Sequence, residues 1–145
     1  MGSSILVPDL ENGRRPMRKP ALDRWYGYMK SHDPKALWEL LHPDAVFESP
    51  VVHTPPRGRE ITFKYLAGAE KVLGGAGFTY LGEWLAENGA VLEFEKEIEG
   101  IRINGVDMIT FSADGNLITH FKVMVRPLKA INLLHRLMGE QLAKS

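Results

Sequence analysis

From Pro20 onward, Leu22, Trp25, Tyr26 and Met29 recur at the spacing of a helix that buries one stripe, and Gly27 weakens that helix only modestly. Asp33-Pro34 then offers an N-cap followed by proline at the first helical position. Leu37, Leu40 and Leu41 form a second stripe, which His42-Pro43 ends. Ala45 to Glu48 reads as a brief strand. Pro50, Pro55 and Pro56 stiffen the loop from Ser49 to Gly58, because proline has no N–H to give to a ladder. A third helix is written by Ile61, Tyr65, Leu66, Ala69 and Val72 and closed by Gly74-Gly75.

After Gly77 the period shortens. Phe78 to Ala86, Ala90 to Glu99, Ile101 to Phe111 and Leu117 to Arg126 are rich in aromatic and β-branched residues, with turns at Asn88-Gly89, Glu99-Gly100 and Asp114-Gly115. That pattern predicts an antiparallel meander. Asn104-Gly105 is a rival for the middle turn and would change the strand partners. Pro127 ends the last strand, and Ile131, Leu134, Met138 and Leu142 give the tail an amphipathic helical stripe. Helices followed by strands predict an α+β domain with its helices on one face of a curved sheet.

The chain has 145 residues, enough for one well-filled core, so residues 21–145 read as a single domain behind a flexible arm at 1–20. With no cysteine there is no disulfide frame, thiolate nucleophile or Cys-ligated metal. Equal numbers of basic and acidic side chains, 18 of each, give no electrostatic case for nucleic acid or an anionic membrane. No apolar run approaches the roughly 20 residues that cross a bilayer. In the arm, Ile5-Leu6-Val7 precedes Arg14, Arg15, Arg18 and Lys19, the reverse of a secretory signal, so a cytoplasmic location is expected. A small-molecule or protein partner remains.

The order of elements around His42-Pro43-Asp44-Ala45-Val46-Phe47-Glu48-Ser49-Pro50, the Pro-rich loop ending Arg57-Gly58-Arg59, and Asp107-Met108-Ile109-Thr110-Phe111-Ser112-Ala113-Asp114-Gly115 resembles the nuclear-transport-factor-2-like superfamily. Its SnoaL-like cyclases and ketosteroid isomerases are the branch in view, and the resemblance covers about Ala21 to Arg126. It implies a cone-shaped, cystatin-like roll, often dimeric, with a pocket between the concave sheet and the helices. Site by site the match is partial. The isomerases' base falls on Ser49, which is no base near neutral pH, and their helix-one Tyr falls on Trp25. Only the oxyanion-holding Asp is matched, by Asp107. Where the cyclases carry an acid on the last strand, this chain reads His120-Phe121-Lys122.

If Asp107 faces inward, so do Ile109 and Phe111, and the family pattern puts His120, Lys122 and Met124 inward as well. Asp107, His120 and Lys122 are therefore the candidate catalytic cluster. A buried Asp107–Lys122 pair without chemistry stands beside that reading, as does a hydrogen-bonded core His120. His53 in the stiff loop, Trp25, Tyr28, Phe94 and Met124 are the candidate ligand contacts, although a surface His53 and a core role for Trp25, Tyr28 and Trp38 fit as well. Leu92, Phe94 and Lys96 share the inner face, while Glu93, Glu95, Glu97 and Glu99 point outward. No His-x-x-x-His or Glu-x-x-His spacing supports a metal site at Asp107, His120 and His53, and no cofactor is expected. Gly74-Gly75-Ala76-Gly77 ends a helix and is no phosphate loop.

Two functions are open. One is a pocket protein for an apolar carbonyl- or hydroxyl-bearing compound, as an isomerase, cyclase or hydrolase, with a cavity of a few hundred cubic ångström opening onto Asp107. The other is a non-catalytic module that dimerises through the outer sheet face and offers its C-terminal helix to a partner protein.

Overall fold

The computed structural model describes residues 18–51 and 54–144. Helix α1 (Pro20–Ser31) starts with proline at its first turn and buries Ala21, Leu22, Trp25 and Tyr28, leaving Tyr26 and Met29 at the edge of that stripe. Helix α2 (Pro34–Leu40) is capped by Asp33, whose side chain accepts from the Lys35 N–H at 3.0 Å. It runs directly into strand β1 (Leu41–Glu48), so the strand begins earlier than Ala45. Pro43 is tolerated there because the ladder is irregular between Leu41 and Val46.

Helix α3 (Arg59–Leu73) follows the Pro-rich loop, and then come β2 (Thr79–Ala86), β3 (Gly89–Ile98), β4 (Ile101–Phe111) and β5 (Ile118–Arg126). The sheet order is β1-β5-β4-β3-β2. β2 to β5 form the expected antiparallel meander, and β1 lies parallel against β5. The middle turn is Glu99-Gly100, with φ of 53° and 77°, the doubly left-handed backbone of a two-residue hairpin turn. Asn104-Gly105 instead runs through β4. Gly105 is needed there because a Cβ would stand 2.6 Å from the Phe94 ring packed across it.

Helix α4 (Leu128–Ala143) folds back, burying Ala130, Leu133 and Leu134 against Phe94 and Ile103. It also meets α3, where Gly68 faces Met138 and Leu142. The tail thus packs one face on this chain's own core. The described residues thus form four helices with an unclosed five-stranded mixed sheet, an α+β fold. The core falls into two clusters. One is built around Leu22, Trp25, Phe47, Leu66 and Phe121, the other around Phe94, Ile103 and Leu134, and Val123 touches both.

Candidate functional site

A cavity sits where those clusters meet. Trp25, Phe47, Leu66, Phe94, Phe121 and Leu134 wall it, and Met29, Met138, Pro50 and Val51 stand among its lining residues. Its volume is about 60 Å³, smaller than the few hundred cubic ångström expected from the sequence. Met29 and Met138 in its lining are unbranched and can change rotamer.

Asp107 is the acid on this wall. Ile103, Gly105, Asp107, Ile109 and Phe111 alternate inward along β4, and Asp107 is only 6% exposed. Its carboxyl has one partner among the described side chains: the Tyr80 hydroxyl donates to Oδ2 at 2.5 Å, and that hydroxyl accepts from the Trp25 indole Nε1 at 2.9 Å. Tyr80 comes from β2, two strands away. A register shift between Tyr80 and Gly82, opposite Phe94 and Glu93, lies next to it.

Burial pushes Asp107 up to about 7, since the apolar wall penalises its charge, while the Tyr80 hydrogen bond pulls the other way. The Tyr80 hydroxyl is itself driven well above 10, first by burial and then by the neighbouring carboxylate. Near neutral pH Asp107 is thus a proton carrier, able to donate when neutral and to accept when charged. With Oδ2 bonded to Tyr80, Oδ1 is left for a proton or a guest.

A second carboxylate reaches the same cavity. Glu70 on α3 lines it beside Leu66, Ala69 and Leu73. Its Oε2 lies 2.5 Å from the His32 Nδ1, and the Glu70 side chain is 11% exposed against 44% for His32. His32 caps α1 in the left-handed conformation, with φ of 58°. Its ring belongs to a separate open groove that Lys30, Ala76 and Phe78 also line. Lys96 closes this end by donating to the Gly74 carbonyl at 2.7 Å, and burial lowers its ammonium's pKa.

Sequence reasoning singled out neither Tyr80 nor Glu70. Tyr80 had a faint signal, a tyrosine among apolar residues of a strand that pairs with Phe94. Glu70 had a clearer one, an acid four residues after the buried Leu66 on the same helical face.

Asp107, Trp25 and Phe94 line the cavity as placed from sequence. Tyr28 is buried in the core, its ring 5.5 Å from Trp25, and is not part of the cavity wall. His53 lies outside the described residues. His120, Lys122 and Met124 point the other way, which is a correction. The β4–β5 register pairs Asp107 with Val123, Ile109 with Phe121 and Met108 with Lys122, so Phe121 and Val123 take the inner face. The assumed alternation was one residue out of step, and the apolar Phe121 and Val123 decide it.

On the outer face His120 Nε2 lies 2.5 Å from Glu48 Oε2, and Lys122 Nζ lies 3.8 Å from the same oxygen. Met124 is 49% exposed. Asp107 therefore pairs with neither Lys122 nor His120, and the two acids on opposite faces share no ion. Among the described residues no three His, Asp or Glu side chains converge as an ion site.

Comparison with known proteins places this geometry. Residues 22–121 match the model of the SnoaL-like domain. The crystal structure of a steroid delta-isomerase from Pseudomonas aeruginosa is 35% identical, covers 86% of this chain and 90% of its own, and superposes with a TM-score of 0.78. A cystatin-like-fold protein from Silicibacter pomeroyi is 26% identical over 85% of each chain, with a TM-score of 0.76. A putative polyketide cyclase from Sinorhizobium meliloti shares the fold at 17% identity, covering 72% of this chain and 93% of its own, with a TM-score of 0.56. No curated protein matches. No helix among the described residues is long and apolar enough to cross a membrane. The chain belongs to the SnoaL-like family, within the nuclear-transport-factor-2-like superfamily.

Proposed function

We propose that the cavity takes a small apolar ketone or alcohol whose oxygen meets Asp107, and that the protein acts on it as an acid–base isomerase. One observation carries this reading: the Asp107 carboxyl, 6% exposed and bonded to Tyr80, lines a cavity whose walls are mostly apolar. A neutral acid donates a hydrogen bond to a carbonyl oxygen and strengthens it as that oxygen gains charge, which stabilises an enolate most. Isomerisation is preferred over cyclisation or hydrolysis because it needs only proton movement. The likeness to a steroid delta-isomerase at 35% identity supports the same class. Tyr80 orients Asp107 and occupies one of its oxygens, so the acid presents a single proton in a single direction.

The test is ketone binding as a function of pH. Cyclohex-2-en-1-one, a product-like enone, is expected to quench Trp25 fluorescence and to bind more weakly as pH rises through about 7, as Asp107 loses its proton. Binding unchanged in Asp107→Leu would refute the assignment.

The outer sheet face carries a second proposal, homodimerisation. Register aligns Trp84, Val91 and Met108 across β2, β3 and β4, with Val106 beside Met124, and Trp84 and Met124 are 40% and 49% exposed. Sedimentation is expected to show a dimer, and Met108→Lys a monomer that keeps ketone binding. A monomeric wild type refutes dimerisation alone.

A further inference from the structure

Acid–base isomerisation needs a base as well as an acid. Ser49 lines the cavity, but its hydroxyl accepts from the Val51 N–H at 3.0 Å and has no proton-accepting strength near neutral pH. The other nearby carboxylate of β1, Glu48, is on the outer face with His120. Among the described residues, the carboxylates on the cavity wall are Asp107 and Glu70.

We propose that Glu70 is the base of this cavity and that His32 is its outlet for protons to solvent. The inference rests on the isomerase reading above.

Three features support it. Glu70 comes from α3 and Asp107 from the sheet, so the two acids approach a guest from different walls. Only Oε2 of Glu70 is engaged among the described residues, which leaves Oε1 for a substrate proton. His32 lines an open groove beside the cavity that Glu70 lines, Met29 and Phe78 being common to both. The groups facing Glu70 are His32, Lys96 and Tyr28: a ring that exchanges protons, an ammonium and a buried phenol.

The step balances without a further reactant. Glu70 takes a proton from the carbon between the carbonyl and the double bond of a β,γ-unsaturated ketone. The released pair forms a dienolate whose oxygen is held by the Asp107 proton. Glu70 returns a proton to the γ-carbon, the double bond moves into conjugation, and both acids end as they began. While protonated, Glu70 donates to His32, whose 44%-exposed ring trades that proton with water.

The test uses the full chain with cyclohex-3-en-1-one in D₂O, following formation of the conjugated enone by ultraviolet absorbance and its γ-deuterium by NMR. Glu70→Gln is expected to lower kcat about 10²–10⁴-fold with KM within about threefold, and Glu70→Asp to recover part of the loss. His32→Asn, which tolerates the left-handed backbone, is expected to keep most of the rate while the product retains more of the substrate's own proton.

If Glu70→Gln turns over like wild type while Asp107→Asn does not, the base lies elsewhere and only this inference falls. Wild type that binds the ketone without isomerising it also overturns the base and leaves the binding reading standing. Absence of binding overturns both. Should Glu70→Gln fail to fold, a folded Glu70→Asp with the wild-type rate and deuterium content refutes the proposal. An unchanged deuterium fraction in His32→Asn removes the outlet.

Discussion

The two faces of the sheet carry similar residue types and put them to opposite use. On the concave face a single carboxyl, Asp107, is buried beside Tyr80 and Trp25, and its ionisation is opposed by the apolar wall. On the convex face Glu48, His120 and Lys122 meet within 4 Å, yet their side chains stay between 33% and 41% exposed. Water screens the convex cluster, so its ion pairs are worth about 0–1 kcal/mol. Charge density alone therefore does not mark a site. What marks it is a titratable group whose surroundings resist its charge and leave it one direction in which to pass a proton.

The largest way to probe that contrast is pH. Asp107's folded-state value lies above its ordinary 3.8, so folding takes up a proton between about 4 and about 7. Asp107's contribution to stability is full at the acidic end, falls as pH rises to about 7 and is flat above it, with a span of about 4 kcal/mol. Asp107→Asn keeps the shape and removes the ionisation. Its denaturation midpoint should exceed wild type at pH 8 and not at pH 4, and an identical pH slope in both proteins would break the comparison.

Next in size is Gly105→Ala. The new Cβ would stand 2.5 Å from the Met124 carbonyl and 2.6 Å from the Phe94 ring, so the wall of the cavity must shift. Thermal denaturation should show a loss of about 1–3 kcal/mol. Tyr80→Phe removes the hydroxyl that links Trp25 and Asp107. It should cost about 1–2 kcal/mol in urea titration, and it should push Asp107 higher still, because the hydrogen bond it deletes favours the charged form. The smallest effect belongs to the convex face. His120→Ala and Lys122→Ala should each change stability by no more than about 1 kcal/mol and leave ketone binding untouched. A loss of ketone binding there would erase the distinction between the faces.

The elements were legible because their patterns are local. Asp33-Pro34 starts a helix, Glu99-Gly100 takes the left-handed turn, and the inward alternation of Ile103, Asp107, Ile109 and Phe111 places the central acid. The inward side of β5 was not legible by the same means. His-Phe-Lys-Val-Met reads in either phase, and only the apolar Phe121 and Val123 against the cavity settle it. Glu48 contributed too, since a partner arriving from 72 residues away holds His120 outside. Tyr80 reaches Asp107 across an intervening strand, and Glu70 meets His32 across two helices. Contacts of that kind are made by tertiary packing and leave no spacing in the chain. Gly105 shows the converse, a strong turn signal overridden because the Phe94 ring needs the room.

The account rests on Asp107 holding its proton near neutral pH inside an apolar cavity. Labelling the aspartate carboxyl carbons with ¹³C and following the Asp107 signal against pH tests this directly, with Asp107→Asn identifying the resonance. The account predicts a midpoint near 7 that moves upward in Tyr80→Phe. A midpoint near the ordinary 3.8 in both proteins would contradict it.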